Sequence, residues 1–207
     1  MKKDECYKIE NFFDQEIVDF FKKESTKIAD KINKKPLLKN QSLQPYHEFR
    51  EIQNQYGRIC ITGIKMPDGL TEQLNKLVSK LFNKELVGHL SLCVEYNSKY
   101  GIPNLPPHFD GDDTEIIVNY QLDSNTSWGC GVNTTVFEME NNSALIFSPN
   151  ANVHWRPHKE FQWGEFVKMI FFRFVDPNKE SDYSHLRLDI NDPVFDNANE
   201  LRERLRQ

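Results

Sequence analysis

Between residues 88 and 176, five short β-rich runs follow one another with no helical period between them. They are HLSLCVEY (89–96), TEIIVNYQL (114–122), NTTVFEME (133–140), SALIFSP (143–149) and FVKMIFFRFV (166–175). Turn residues separate them: Gly101, Pro103, Gly111, Gly129, Asn141, Asn142 and Pro149. Parallel strands need a crossover of a dozen or more residues, usually a helix, and no such pattern lies between these runs. That restriction leaves an antiparallel sandwich or barrel. The strand spacing fits a double-stranded jelly roll.

The chain ahead of these runs reads differently. NFFDQEIVDFFKKESTKIADKIN (11–33) repeats apolar residues at Phe13, Ile17, Phe20, Phe21, Ile28 and Ile32, close to the helical period. Asp14 is a candidate cap, and Glu16 and Asp19 suit the positive end of the helix. A polar, proline-containing stretch over 34–57 reads as a long loop, and RICITGIK (58–65) alternates as a strand. A second helix is expected over 68–86, where Pro67 and Asp68 make a start signal. The expected fold is therefore mainly β with packed helices (α+β), a double-stranded β-helix with N-terminal helices on one sheet. At 207 residues the chain suits a single domain. Residues 1–87 would form a helical support, 88–176 the jelly-roll core, and 177–207 a polar tail with a short helix near its end.

Composition narrows the partners. Fifteen Phe and seven Tyr supply an aromatic, strand-rich core. A net charge of −5 argues against a nucleic-acid binder, which needs clustered Lys and Arg. Cys6, Cys60, Cys93 and Cys130 form no CxxC pair and read as reduced thiols, which implies a cytoplasmic protein. No secretion signal opens the chain and no apolar run reaches the length of a membrane span.

LPPHFDGDD (105–113) holds the chemistry. On a strand, residues two apart point to the same side, so His108 and Asp110 can aim an imidazole and a carboxylate at one point. A lone H-x-D is a weak signal, and a third ligand must come from elsewhere. ALIFSPNANVHWRPHKE (144–160) supplies a candidate in His154, which follows an apolar strand and a polar turn. His158 competes with it, and counting does not separate them. Two imidazoles and a carboxylate on one face of an ion, with open positions opposite, form the facial triad of non-haem Fe(II) oxygenases. The plain alternative is a histidine hydrogen-bonded in a loop. In FVKMIFFRFV, Lys168 shares a face with Ile170, Phe172 and Phe174, and Arg173 shares the other with Val167, Met169 and Phe171. A cation pointing into a barrel wants an anion. Lys168 inside would take a small diacid; alternatively Lys168 lies outside and Arg173 faces in.

These residues resemble the Fe(II)/2-oxoglutarate-dependent dioxygenases, and within them the prolyl-4-hydroxylase-like branch. The resemblance rests on His108-Phe109-Asp110, then His154, then Lys168. YNSKYGIPNLPPHFDG (96–111), SALIFSPNANVHWRP (143–157) and YKIENFFDQEIVDFF (7–21) extend it. It implies that His108, Asp110 and His154 bind Fe(II), with 2-oxoglutarate and O2 as co-substrates. It implies that Lys168 holds the distal carboxylate of 2-oxoglutarate, helped by Tyr100. The interval from His154 to Lys168 is slightly longer than the pattern, which keeps Arg173 as a substitute for Lys168 and His158 for His154. The carboxylate at Asp110 implies hydroxylation rather than halogenation. The implied substrate is a peptidyl residue, an amino acid or another small metabolite. An oxidative nucleic-acid demethylase on the same scaffold and a non-catalytic cupin-like binding protein are the alternatives. Trp128 reads as core or pocket rim, and Cys130 has no base nearby in sequence.

Overall fold

A computed structural model describes residues 5–33, 51–53, 57–62, 64–111 and 114–178. Among them, the chain runs β1 (Cys6–Ile9), α1 (Gln15–Asn33), β2 (Glu51–Gln53), β3 (Arg58–Thr62), α2 (Leu70–Phe82) and β4 (Val87–Asn97). After a 3-10 turn at Ser98–Tyr100 come β5 (Leu105–His108), β6 (Ile116–Ser124), β7 (Cys130–Val132), β8 (Thr135–Phe137), β9 (Ser143–Phe147), β10 (His154–Arg156) and β11 (Phe166–Val175). The strands form a seven-stranded sheet, ordered β1-β9-β6-β11-β4-β3-β2, and a four-stranded sheet, ordered β5-β10-β7-β8. Every pairing is antiparallel. This is the jelly roll expected from the strand runs.

Both faces of the large sheet are covered. On one face, Ile170, Phe172 and Phe174 of β11 join Val118 and Tyr120 of β6 beneath the helices. Helix α2 contributes Leu70, Leu74, Val78 and Phe82, a four-residue spacing that lines up one stripe. Helix α1 contributes Val18 and Phe21. Rings interlock there: Phe21 and Phe172 have centroids 5.9 Å apart, and Phe13 and Tyr120 4.8 Å. The opposite face looks toward the small sheet. There Leu92, Val94, Tyr96, Trp128, Val167 and Met169 form one cluster, and Ile117, Cys130, Val132, Leu145 and Phe147 are in another.

Several details depart from the sequence expectation. The first 87 residues are more than a helical support, because β1 pairs with β9 and β3 pairs with β4 at opposite sides of the large sheet. Helix α2 is shorter than 68–86. It ends at Asn83, whose left-handed backbone (φ 46°) closes the helix through donation to Lys80 and Ser79 carbonyls by the cap amides. Only Thr135–Phe137 of the run at 133–140 is strand, and Asn133, at φ 53°, lies in the hairpin turn that joins it to β7. Most of the loop expected at 34–57 and the tail after 178 lie outside the described residues, as does the side chain of Cys60. Cys6, Cys93 and Cys130 carry free thiols. No helix among the described residues is long and apolar enough to cross a membrane.

Candidate metal centre

His108 ends β5 and faces His154 across the β5–β10 ladder. The ladder contains a bulge. His154 opposes His108, whereas Arg156, only two residues on, opposes Leu105. The extra β5 residue falls at Pro106-Pro107, where the ladder lacks two donors and a bulge costs least. The bulge also supplies an acceptor: the Pro106 carbonyl lies 2.8 Å from His108 Nδ1. With the proton on Nδ1, Nε2 keeps its lone pair. His154 repeats the device, its Nδ1 lying 3.2 Å from the Asn152 carbonyl. Asn152 is buried and clamps the turn before β10, donating to the Ser148 carbonyl at 2.8 Å and accepting from Asn133 at 2.6 Å.

Asp110 lies beyond the end of β5 and not on an extended strand. Its backbone amide donates to the Pro149 carbonyl at 3.0 Å, which folds the chain so that the carboxylate turns back to the histidines. Asp110 Oδ1 lies 3.5 Å from His108 Nε2 and 3.6 Å from His154 Nε2. The three donor atoms all fall within 4.8 Å of one another. The imidazole rings sit 4.1 Å apart between centroids.

Charge is arranged around this point. Burial would push the Asp110 carboxyl up. The His108 hydrogen bond, the Arg173 guanidinium and the His154 imidazole outweigh it and hold the group below its ordinary value. Arg173 Nη2 stands 3.7 Å from Asp110 Oδ2, the oxygen turned away from the histidines. His154 is only 5% exposed, and burial lowers its pKa, favouring the neutral form that ligates. The Asp110 contact raises that of His108, against an opposing effect of burial and of the nearby Arg58 charge. Two imidazole nitrogens and one ionised carboxylate oxygen, each oriented by a fixed partner, suit a borderline divalent ion such as Fe(II).

The structure brings His108, Asp110 and His154 together and leaves His158 exposed in the loop after β10. It does not bring Lys168 or Tyr100 to them. Lys168 points to the helix-covered face of β11, where its Nζ lies 3.6 Å from Glu95 Oε2. Tyr100 donates to the other oxygen of the same glutamate at 3.4 Å. The physical reason is the parity of β11: Val167, Met169 and Phe171 fill the interior, so Arg173 faces inward and Lys168 outward. Trp128 is buried core, and its indole Nε1 donates to the Pro157 carbonyl at 2.7 Å. Sequence reading passed over Arg156 and Arg58. Arg156 is two residues after His154, on the same side of β10, and this parity was its only available signal.

No family matches the sequence, and no curated protein is similar to it at the sequence level. Solved structures are similar in fold. The non-haem α-ketoglutarate-dependent carbocyclase SnoK of nogalamycin biosynthesis aligns with a TM-score of 0.62 at 10% identity, over 91% of this chain and 88% of its own. AviO1 from Streptomyces viridochromogenes Tue57 aligns at 0.60 and 12%, over 86% of this chain and 92% of its own. The epimerase SnoN, solved with Fe3+, α-ketoglutarate and nogalamycin RO, aligns at 0.59 and 9%, over 84% and 80%. The chain thus has the double-stranded β-helix fold of the non-haem, α-ketoglutarate-dependent enzymes.

Proposed function

We propose that this protein is an Fe(II)- and 2-oxoglutarate-dependent oxygenase that hydroxylates an unactivated C–H bond of a small molecule, an amino acid or a peptidyl residue. The convergence of His108, Asp110 and His154 on one point carries the reading, because each donor is held by its own backbone or guanidinium partner. The fold shared with SnoK and SnoN supports it. Those two are a carbocyclase and an epimerase, so the fold accommodates more than one reaction outcome. Hydroxylation and the prolyl-hydroxylase-like branch are the finer part of the proposal.

In this reading, His108, Asp110 and His154 would hold Fe(II), with 2-oxoglutarate and O2 as the co-substrates. The bound ion and the oxo acid supply the oxidising chemistry, with succinate and CO2 as co-products. The Pro106 and Asn152 carbonyls keep each imidazole in the Nδ1–H tautomer. Arg173 holds the outer oxygen of Asp110 and so fixes the rotation of that carboxylate. The apolar chamber of Leu92, Val94, Tyr96 and Val167 excludes bulk water on the inner side.

The test is aerobic incubation with Fe(II), 2-oxoglutarate and a panel of proline, other amino acids and proline-containing peptides. Succinate release coupled to a product heavier by one oxygen atom supports hydroxylation. Succinate with a dehydrogenated, cyclised or epimerised product keeps the oxygenase and removes the hydroxylase. Failure to bind Fe(II) at the triad removes both.

A further inference from the structure

Among the described residues, β3 leaves β4 before β4 ends. Its last pair is Thr62 with Leu92, and the Ser91 hydroxyl then donates to the Ile64 carbonyl at 3.4 Å. Past that contact the chain turns toward α2, and a cleft of about 230 Å³ opens between it and the start of β4. Met66 and Leu74 form the helix side of the cleft, and Phe172 and Phe174 of β11 form its floor. Helix α2 is tied across one end, where Asn75 Oδ1 accepts from the Gly88 amide at 2.8 Å.

A β-bulge lies in this cleft. Arg173 opposes Leu90 and Phe174 opposes Gly88, so His89 is the extra residue of β4. Bulges re-aim a side chain and recur beside active sites. His89, Leu90 and Arg173 all line the cleft, and Arg173 Nη2 lies 3.7 Å from Asp110 Oδ2. Arg173 thus belongs both to the cleft and to the surroundings of the metal donors.

The lining selects a kind of ligand. Met66, Leu74, Leu90, Phe172 and Phe174 present apolar surface, while Thr71, Ser91 and His89 add hydrogen-bonding groups. The charge of Arg173 is answered by Asp110, so a second carboxylate gains little there, and an ammonium is repelled. The volume is below the roughly 300–1,000 Å³ of sites for drug-sized ligands and suits a molecule of about one ring.

We propose that this cleft holds the primary substrate, an uncharged molecule of about one ring bearing a hydroxyl or carbonyl group, with His89 as a positioning residue. The proposal rests on the functional reading given above and narrows its substrate to a small uncharged molecule.

The test loads full-length protein with Co(II) and 2-oxoglutarate and titrates it with p-cresol, followed by the relaxation of the ring protons. A Zn(II)-loaded sample is the diamagnetic control. The expected dissociation constant is about 1 mM or tighter, the scale reached by a ligand of about eight heavy atoms, with faster relaxation beside Co(II) than beside Zn(II). Toluene, which lacks the hydroxyl, should bind about 3–10-fold more weakly. Tyramine should bind at least about 10-fold more weakly than p-cresol, and 4-hydroxyphenylacetate no more tightly. Met66→Trp fills the cleft and should weaken p-cresol more than about 10-fold with Co(II) uptake unchanged; should it fold poorly, Thr71→Leu makes the same test. His89→Leu should remove the preference for p-cresol over toluene and leave toluene within about 3-fold, a pattern that a purely structural role would not produce. Tighter binding of either charged analogue, p-cresol binding that survives both filling variants, or equal relaxation with the two metals overturns the assignment. Loss of p-cresol binding in wild-type protein that holds Co(II) and 2-oxoglutarate removes this proposal alone. A protein that binds p-cresol but takes up neither Co(II) nor 2-oxoglutarate removes the functional reading, and with it the role of the cleft as a substrate site.

Discussion

The two faces of the seven-stranded sheet are both apolar, but they do different work. The helix-covered face is an aromatic lattice: Phe172 touches Phe13 and Phe21, and Tyr120 packs on Phe12 and Phe13. Its Lys168–Glu95 pair lies where Tyr100 also reaches. The inner face surrounds its apolar residues with polar groups that have directional tasks. Arg173 fixes Asp110, His154 and Arg156 enter from the small sheet, and Asn119 and Gln121 are buried among them. A single strand, β11, therefore serves stability with one parity and chemistry with the other.

Substitutions that separate those tasks test the division. The largest effect is expected from His154→Ala. An outer partner of a metal ligand is worth about 10–100-fold in affinity, so losing the ligand itself should weaken Fe(II) or Co(II) binding by more than about 100-fold. His158→Ala should leave the titration unchanged; the reverse result would put the third donor in the wrong loop. On the other face, Phe172→Ala should destabilise the fold by about 3–5 kcal/mol in chemical denaturation. The surviving folded protein should bind metal normally. A variant that loses metal in parallel with stability would join the two faces that the structure keeps apart.

Smaller effects sharpen the picture. Gly131 opposes Trp155 on the outer side of the small sheet, where an added Cβ would fall 2.2 Å from the indole. Gly131→Ala should cost about 1–3 kcal/mol through overpacking, read as a lower midpoint in urea. Arg173→Met should weaken metal binding about 10-fold with little change in stability, because it frees the rotation of Asp110. The smallest change is expected at Lys168→Met. A mostly shielded but single ion pair contributes under about 1 kcal/mol, so its denaturation curve should nearly overlay the wild type. Thiol chemistry marks the same boundary. Burial, with the neighbouring Cys130, pushes the Cys6 thiol up to about 12, so alkylation at pH 8 should be slow until the protein unfolds.

The sequence by itself determined much of this protein. The absence of helical periods between the later strands required an antiparallel double-layered fold. The H-x-D pair, its proline-rich approach and a histidine beyond the next apolar strand marked three donors that do meet. Parity alone also separated Lys168 from Arg173. It did not reveal which of them faces inward, because Ile170, Phe172 and Phe174 are as apolar as Val167, Met169 and Phe171. Only tertiary structure decided that, by laying α1 and α2 over one side of the sheet so that both sides are buried. The bulge at Pro106-Pro107 was equally invisible. It shifts the β5 register so that His108 meets His154, while Arg156, two residues further along β10, points into the interior. Local sequence sets which residues share a side of a strand; which side becomes the interior depends on what the rest of the chain brings to cover it.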